Sequence, residues 1–444
     1  MTLVSTNVQL FACSYNSEKW RFTGFYADRE KLAMQSCIFQ NARLITPFEE
    51  RDNCHVAVRG SLIHDVSDDL EGLKRGLGNG PVELFDVKGS YLVPGFIDIH
   101  THGGGGVDAY SPSITPWIDH KSRNGVTSFL PTLAAMPLKT MYVAIKSLVD
   151  RIREGPAAAK LQGINLEGPY LNPRFGLQLP ESCLAPRRSD WEPLLELAQG
   201  LLRIMTVAPE LEGSEEMIRE LVKRGVTVSI GHSDATLEEA KRAVDLGARL
   251  ITHTFNAFGL SGTAVEDRRK RKVSGRREVR ALEYLLQRDD VYGEIIPDRL
   301  GLHVHPVLIN ILLKCKGIDR VIVITDSISA AGLPDGTYTY PDGRQCVINS
   351  RKYDVAWLEE GSVLGGTIYS LIEGARSFMR HTGVGLRDAL KTITINPARL
   401  LGLDSRIGSI QAGKQADLVV MDGDFNVALT MVEGRVVYER TGRS

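Results

Sequence analysis

Two histidines, His100 and His102, end the apolar run YLVPGFIDIHTH, and four glycines follow them at 103–106. Alternate residues of a β-strand point to the same side, so the two imidazoles face one way. The glycines let the chain turn sharply and leave room for another group to approach. Because neutral imidazoles are common metal ligands, this pair predicts half of a metal site.

Four more residues of similar chemistry follow apolar runs later in the chain: Glu167 in GINLEGPY, His232 in VTVSIGHSDA, His253 in LITHTFNAF and Asp326 in VIVITDSISAAG. A single histidine at the end of a strand is usually a hydrogen-bonded core residue. All six residues, however, end strand-like runs, and the carboxyl ends of parallel strands converge on one face of a barrel. Four histidines and two carboxylates suit one or two divalent cations per subunit, Zn²⁺ first, with Fe, Co or Mn as alternatives.

The positions of these residues also suggest their roles. The first histidine pair can hold one ion, and Glu167 can bridge to a second ion held by His232 and His253. Asp326 is predicted to be both a metal ligand and the catalytic residue. A carboxylate beside a metal ion can take a proton from an attacking water and later give it to the leaving group.

The elements that must position these residues alternate between strand-like and helix-like runs from residue 94 to 405. Segments such as SEEMIRELVKRG and TLEEAKRAVDLG have helical periodicity and end in glycine. This α/β pattern predicts a TIM-like (β/α)8 barrel. Short strand-like runs in 36–93 and 406–444 predict one small β-sandwich domain built from both terminal segments. Residues 1–35 have little periodicity and are predicted to be a poorly structured extension.

The composition of the 444 residues, with 43% hydrophobic residues, 24% charged residues and a net charge of −1, is that of a globular protein without general attraction to nucleic acid or membranes. The six cysteines are scattered without a CxxC motif, and the start lacks the pattern of a signal peptide. We therefore expect a cytoplasmic protein. The basic run VEDRRKRKVSGRRE at 265–278 is expected to be a solvated loop.

Several motifs together resemble a known family. PGFIDIHTHG and the closing GSIQAGKQADLVVMD resemble the amidohydrolase superfamily of metal-dependent hydrolases. LEGPYLNP, TVAPE, SIGHSDAT, THTFNAF, VITDSISAAG and GSVLGGTIYSLIEGAR, in that order, resemble the N-acetylglucosamine-6-phosphate deacetylases over about 36–437. The resemblance implies hydrolysis of N-acetylglucosamine 6-phosphate, a small phosphorylated amino sugar, to glucosamine 6-phosphate and acetate by a homodimer.

The same resemblance implies a set of substrate-binding residues: Leu177, Gln178, Asn256, Ala257, Arg277, His303, Leu364, Gly365 and Gly366. Gln178 stands where many family members carry histidine, and His305 lies close enough to His303 to be mistaken for it. Arg277 follows an inserted basic stretch and is the predicted phosphate ligand, which in the family can come from the neighbouring subunit. A guanidinium suits a phosphate because its donors form a bidentate fork.

Four alternatives stay open from the sequence. The substrate can be the epimer N-acetylgalactosamine 6-phosphate, or the chain can be another amidohydrolase, although no lysine ends a predicted strand to serve as a carboxylated bridge. A non-catalytic scaffold would lack metal ligands, and none of the six is missing. A purely structural barrel, in which the polar strand ends satisfy one another, would bind metal only in sub-stoichiometric amounts.

Overall fold

The computed structural model describes residues 36–155, 158–259, 279–358 and 363–440. The expected extension at 1–35, the basic run at 265–278 and Arg277 lie outside these residues.

The described residues begin with a small β-sheet region. Its elements are β1 (Ser36–Ile45), β2 (Glu50–Arg59), β3 (Leu62–Ser67), α1 (Leu70–Leu77), β4 (Val82–Asp86) and β5 (Tyr91–Pro94). β1 pairs antiparallel with β2 and parallel with both β4 and β5. Phe39 and Leu44 of β1 are fully buried against Val56 and Val58 of β2, and α1 covers Ile38 on the other face.

The central part of the chain alternates strands and helices. Its elements are β6 (Phe96–Thr101), β7 (Gly103–Gly104), β8 (Val107–Asp108), α2 (Thr115–Arg123), β9 (Val126–Ala134), α3 (Leu138–Arg153), β10 (Lys160–Leu161), β11 (Ile164–Glu167), α4 (Arg188–Ala198), β12 (Leu202–Val207), α5 (Ser214–Lys223), β13 (Thr227–Ile230), α6 (Leu237–Asp245), β14 (Leu250–Ile251), α7 (Ala281–Gln287), β15 (Tyr292–Ile295), α8 (Pro306–Lys316) and β16 (Val321–Val323). Then follow β17 (Gly336–Thr339), β18 (Gln345–Ile348), β19 (Val355–Leu358), β20 (Val363–Thr367), α9 (Leu371–Thr382), α10 (Leu386–Ile393) and α11 (Ile395–Leu400).

Eight parallel strands form a barrel in the order β6, β9, β11, β12, β13, β14, β15 and β16. The chain just past β16 closes the barrel against β6: the Asp326 backbone N–H donates to the His100 carbonyl oxygen at 2.9 Å, and the His102 N–H donates to the Ser327 carbonyl at 2.8 Å. Helices α2 to α9 follow the eight strands one by one. The predicted (β/α)8 barrel is confirmed.

The local sequence explains why these helices form where they do. Thr236 and Glu239 make a capping box at the start of α6, which satisfies backbone N–H groups that have no partner within the helix. Ala240, Ala243 and Val244 lie at helical spacing and are buried against the barrel. Gly247 has a φ of +118°, in the region where glycine lacks the strain of other residues, and ends the helical segment.

Strands β21 (Leu418–Met421), β22 (Val427–Val432) and β23 (Arg435–Glu439) return the chain to the first sheet. β21 pairs antiparallel with β5, with Val420 opposite Leu92, so strands from both terminal segments form one eight-stranded sheet. A buried ion pair between Lys160 and Asp417, at 2.8 Å, links this sheet to the barrel.

A separate four-stranded antiparallel sheet, β17 to β20, is inserted between β16 and α9. The sequence had not distinguished this insertion from the barrel. Within the residues that the structure describes, no helix is long and apolar enough to cross a membrane.

Candidate metal centre

The structure brings the six predicted ligands together at the carboxyl ends of the barrel strands. They form two neighbouring groups: His100, His102 and Asp326 in one, and Glu167, His232 and His253 in the other. Within each group, one ligand atom per residue lies within 4.8 Å of the others. Five different strand ends supply these side chains, so only the closed barrel assembles them.

The second group is the tighter one. One carboxylate oxygen of Glu167, Oε1, lies 2.8 Å from His232 Nε2 and 2.9 Å from His253 Nε2. The two Nε2 atoms are 3.0 Å apart. Atoms that bind a zinc ion tetrahedrally at about 2.0–2.1 Å lie roughly 3.3 Å from one another. The three side chains are therefore spaced almost as ligands of one ion.

Hydrogen bonds behind the imidazole rings direct their Nε2 atoms toward the centre. His232 donates from Nδ1 to the Phe175 carbonyl oxygen at 3.0 Å, and His102 donates from Nδ1 to the Thr132 carbonyl oxygen at 3.1 Å. In the neutral ring this leaves Nε2 with a lone pair, which at His232 faces the Glu167 carboxylate. Two groups of lone pairs repel each other, whereas a cation between them makes the arrangement favourable. The residues therefore fit a metal ion.

The first group surrounds the neighbouring position. His102 Nε2 lies 3.1 Å from Asp326 Oδ1 and 3.3 Å from Glu167 Oε2, so the Glu167 carboxylate contacts both groups. His100 Nε2 lies 3.6 Å from Glu167 Oε1 and 3.7 Å from Asp326 Oδ1. It is buried and has no hydrogen-bond partner within the described residues. Such an orphaned nitrogen is expected of a metal ligand.

The electrostatics of the cluster favour positive charge at its centre. Burial alone lowers the pKa of a histidine, but at His100 the carboxylates of Glu294, Glu167 and Asp326 outweigh burial and raise the pKa to about 9. At His102, Asp326 and Glu167 likewise outweigh burial and raise the pKa to about 10. Burial alone raises the pKa of Asp326, but the two histidines hold it below its ordinary value. The cluster therefore stabilises a cation.

Three of the ligands sit on an unusual backbone. His232, His253 and Asp326 have φ angles of +51°, +23° and +47°, in or beside the left-handed region that side chains other than glycine disfavour. Strain of this kind, of order 1–3 kcal/mol per residue, persists only where the surroundings over-determine the conformation, and it concentrates at functional sites. These backbone conformations accompany the placement of the three side chains in the metal-binding groups.

Glu294, at the end of β15, belongs to the site although the sequence reasoning missed it. Its Oε2 accepts from His100 Nδ1 at 3.0 Å and from the His253 backbone N–H at 3.1 Å. One buried carboxylate therefore orients a ligand in each group. Glu294 stands within the strand-like run VYGEII rather than after it, so the sequence pattern gave no signal of this role.

We expect Glu294→Gln to weaken metal binding by about 10- to 100-fold, the usual effect of losing a supporting group behind a metal ligand. The amide keeps the shape of the side chain but removes the charge that orients His100. Competition with a chelator of known affinity measures the effect. Glu196→Gln, on the exposed face of α4, is the matched control. Unchanged metal affinity in Glu294→Gln contradicts this role.

A cavity of about 630 Å³ opens directly onto the cluster. The residues predicted to bind substrate that line it are Leu177, Gln178, Asn256, Ala257, His303, Leu364, Gly365 and Gly366. Arg277 lies outside the described residues. The only arginine or lysine that the described part of the chain contributes to the lining is Arg344. Its Nη2 donates to Asp342 Oδ2 at 2.5 Å and to the Leu177 carbonyl oxygen at 2.7 Å.

The structure distinguishes the two histidines of GLHVHP. His303 lines the cavity, and its backbone N–H donates to Asp298 Oδ2 at 2.7 Å. Its Nδ1 lies 3.5 Å from the same carboxylate. His305 is exposed and accepts a hydrogen bond from the Val307 N–H at the start of α8. Of these two histidines, His303 is the one in the cavity wall.

Two glycines permit the close approach of chain segments at the cavity. Gly366 has a φ of +101°, and a Cβ there would lie 2.9 Å from the Asp326 carbonyl oxygen. A Cβ on Gly176 would collide with the ring of His232. Neither position accommodates a larger residue without displacing a predicted metal ligand.

Comparison with known proteins agrees with this fold and this site. Residues 91–437 match the amidohydrolase family. N-acetylgalactosamine-6-phosphate deacetylase of Escherichia coli is 33% identical over 368 residues, which cover 80% of this chain and 90% of that protein. N-acetylglucosamine-6-phosphate deacetylase of Bacillus subtilis is 32% identical over 417 residues, which cover 91% of this chain and 98% of that protein.

Solved structures are similar over the same extent. The crystal structure of N-acetylglucosamine-6-phosphate deacetylase from Thermotoga maritima has a TM-score of 0.75 and 30% identity, over 91% of this chain and 100% of that chain. An alanine-for-aspartate variant of the Mycobacterium smegmatis enzyme, in complex with N-acetyl-D-glucosamine-6-phosphate, has a TM-score of 0.76 and 26% identity, over 91% and 99% of the two chains.

The chain therefore belongs to the amidohydrolase family, whose members are metal-dependent hydrolases. Within that family, the relatives that it matches over most of their length are the N-acetylglucosamine- and N-acetylgalactosamine-6-phosphate deacetylases.

Proposed function

We propose that the protein hydrolyses the N-acetyl group of N-acetylglucosamine 6-phosphate and releases glucosamine 6-phosphate and acetate. The observation that carries this proposal is the cluster of four histidines and two carboxylates beside a 630 Å³ cavity. Relatives that match almost their whole length bear the name of this activity. The cavity is large enough for a phosphorylated sugar.

An amide is a poor electrophile, and a divalent cation is one means of activating it. We propose that Glu167, His232 and His253 hold the principal ion and that His100 and His102, with Asp326, provide a second position. Zn²⁺ is the first choice for this set of nitrogen and carboxylate donors. When bound, the ion supplies Lewis-acid polarisation of the carbonyl and lowers the pKa of water.

Asp326 is the residue that we assign to proton transfer. Its carboxylate faces the cavity, and its contacts with the histidines keep it ionised, so it can accept a proton from the attacking water. As the amide C–N bond breaks, the same group returns the proton to the departing amine. Gln178 and His303 lie in the cavity wall, and Gln178 Oε1 has no hydrogen-bond partner within the described residues, so this atom is suited to hold the substrate.

The epimer N-acetylgalactosamine 6-phosphate is a second candidate substrate, because a relative of 33% identity bears that name. Acetate release from both epimers, each with and without the 6-phosphate, tests the proposal. We expect N-acetylglucosamine 6-phosphate to have the highest kcat/KM. Equal turnover of the unphosphorylated sugar would exclude a phosphate-specific site, and faster turnover of the galactose epimer would reassign the substrate.

We propose Arg277 as the phosphate ligand, contributed by the neighbouring subunit of a homodimer. Arg277→Ala should then raise KM for the phosphorylated sugar by about 10- to 100-fold, with a small change in kcat. This is the loss of binding expected when one or two charge-assisted hydrogen bonds are removed. Arg344→Ala is the comparison, since Arg344 is already paired with Asp342 in the cavity wall. A larger KM effect at Arg344 than at Arg277 would transfer the role to Arg344.

We further place the protein in the cytoplasm. The six cysteines are scattered along the sequence without a CxxC motif, which is the usage typical of a reducing compartment.

A further inference from the structure

A buried ion pair lies behind the catalytic face and has no part in the proposed chemistry. Lys121 of α2 and Asp98 of β6 are 3% and 0% exposed, and Lys121 Nζ donates to Asp98 Oδ2 at 2.7 Å. Removing two charges from water has a large free-energy cost, which a pair of this kind seldom recovers in stability. The contacts of the pair indicate a role other than stability.

The pair holds the two residues on either side of Asp326. Thr325 Oγ1 donates to Asp98 Oδ2 at 2.7 Å, and the Thr325 N–H is 3.4 Å from Asp98 Oδ1. The Lys121 ammonium lies 3.4 Å from both Thr325 Oγ1 and Ser327 Oγ. Asp98 and Lys121 thus contact the neighbours of Asp326 while leaving Asp326 itself to the cavity.

The same network holds the strand that carries the histidine pair. Ser327 Oγ donates to the Gly103 carbonyl oxygen at 2.9 Å and lies 2.9 Å from Thr101 Oγ1. Asp98 is itself two residues before His100 on β6. The contact between β6 and segment 325–327, where the barrel closes, is therefore made of buried polar groups from both segments.

Asp326 needs such support because its own backbone is strained. Its φ of +47° is disfavoured for aspartate, and its N–H donates to the His100 carbonyl oxygen of β6 at 2.9 Å. If segment 325–327 relaxed, the carboxylate would move relative to the histidines. A displacement of about 1 Å can lower the rate of a reaction about 100-fold.

We propose that the Lys121–Asp98 ion pair is a positioning device, which fixes segment 325–327 against β6 and so sets the carboxylate of Asp326 relative to His100 and His102. Neither residue touches the cavity, so both act through the segment that they hold. The expected effect of this ion pair on turnover rests on the proposed function, whereas its expected effect on the conformation of segment 325–327 does not.

The test compares two buried lysines in the metal-loaded protein. Lys121→Met should lower kcat about 100-fold with KM changed by less than about 3-fold, because the substrate contacts remain. It should also speed hydrogen exchange of the Asp326 amide. Lys160→Met removes a second buried Lys–Asp pair, at the junction with the β-sheet region, and should leave kcat and that exchange rate unchanged.

A second variant separates positioning from the cost of an unpaired charge. Asp98→Asn/Lys121→Met removes both charges and should regain thermal stability relative to Lys121→Met while kcat stays low. Wild-type kcat and wild-type exchange at Asp326 in the double variant would overturn the proposal. If the wild-type protein releases no acetate, the proposed function fails, and the exchange experiment still decides the positioning role.

Discussion

Asp326→Asn is expected to lower the rate of acetate release by about 10²- to 10⁴-fold, the contribution typical of one positioned acid–base group. The amide is nearly the same size as the carboxylate but cannot accept the proton of the attacking water. Glu167, His232 and His253 form their own compact group without Asp326, so the principal ion proposed for that group should be retained. Steady-state kinetics and elemental analysis on the same preparation measure both quantities.

The matched control is Asp342→Asn. Asp342 also lines the cavity, but it pairs with Arg344 and lies outside the metal-binding groups. We expect its kcat to stay within about 10-fold of wild type, less than the contribution of an acid–base group. If Asp326→Asn keeps more than a tenth of wild-type activity, Asp326 is not the proton-transfer group.

Glu167→Gln is expected to remove both the metal and the activity. The Glu167 carboxylate contacts both metal-binding groups and lies 2.8–2.9 Å from two imidazole nitrogens. The amide supplies no negative charge to these rings. Metal affinity should fall by more than the roughly 10- to 100-fold expected for a supporting residue such as Glu294.

His253→Asn tests the same group from the histidine side and should give the same double loss. His305→Asn is the control, because His305 is an exposed histidine that only caps α8. Elemental analysis after dialysis reports the metal, and acetate release reports the activity. Full metal content with full activity in either Glu167→Gln or His253→Asn would remove this group from the site.

The sequence was most informative where the type and spacing of the residues reflect their burial or their place in a strand. Alternating apolar strands and amphipathic helices predicted the barrel, because period and length reflect burial against a parallel sheet. Polar residues such as Glu167 and Asp326 at strand ends predicted the cluster, since a parallel barrel brings those ends to one face. The order of the motifs supplied the family.

Other features left no such signal. The carbonyl groups of Phe175 and Thr132, which orient His232 and His102, belong to the backbone and carry no residue type. Glu294 is an acidic residue within a strand, and only its two contacts reveal its role. The strands of the four-stranded insertion are only four or five residues long and lie between β16 and α9, so the sequence reading left them within the barrel segment. The domain boundaries and the role of Arg277 remain predictions.

Acetate release during titration of the metal-free protein with Zn²⁺ tests most directly whether the clustered side chains hold a catalytic cation. With N-acetylglucosamine 6-phosphate as substrate, we expect a rate near zero without metal, which rises with added Zn²⁺ and saturates at one or two equivalents per subunit. Undiminished turnover by the metal-free protein, or stoichiometric binding of Zn²⁺ without any acetate release, would contradict a metal-dependent deacetylase.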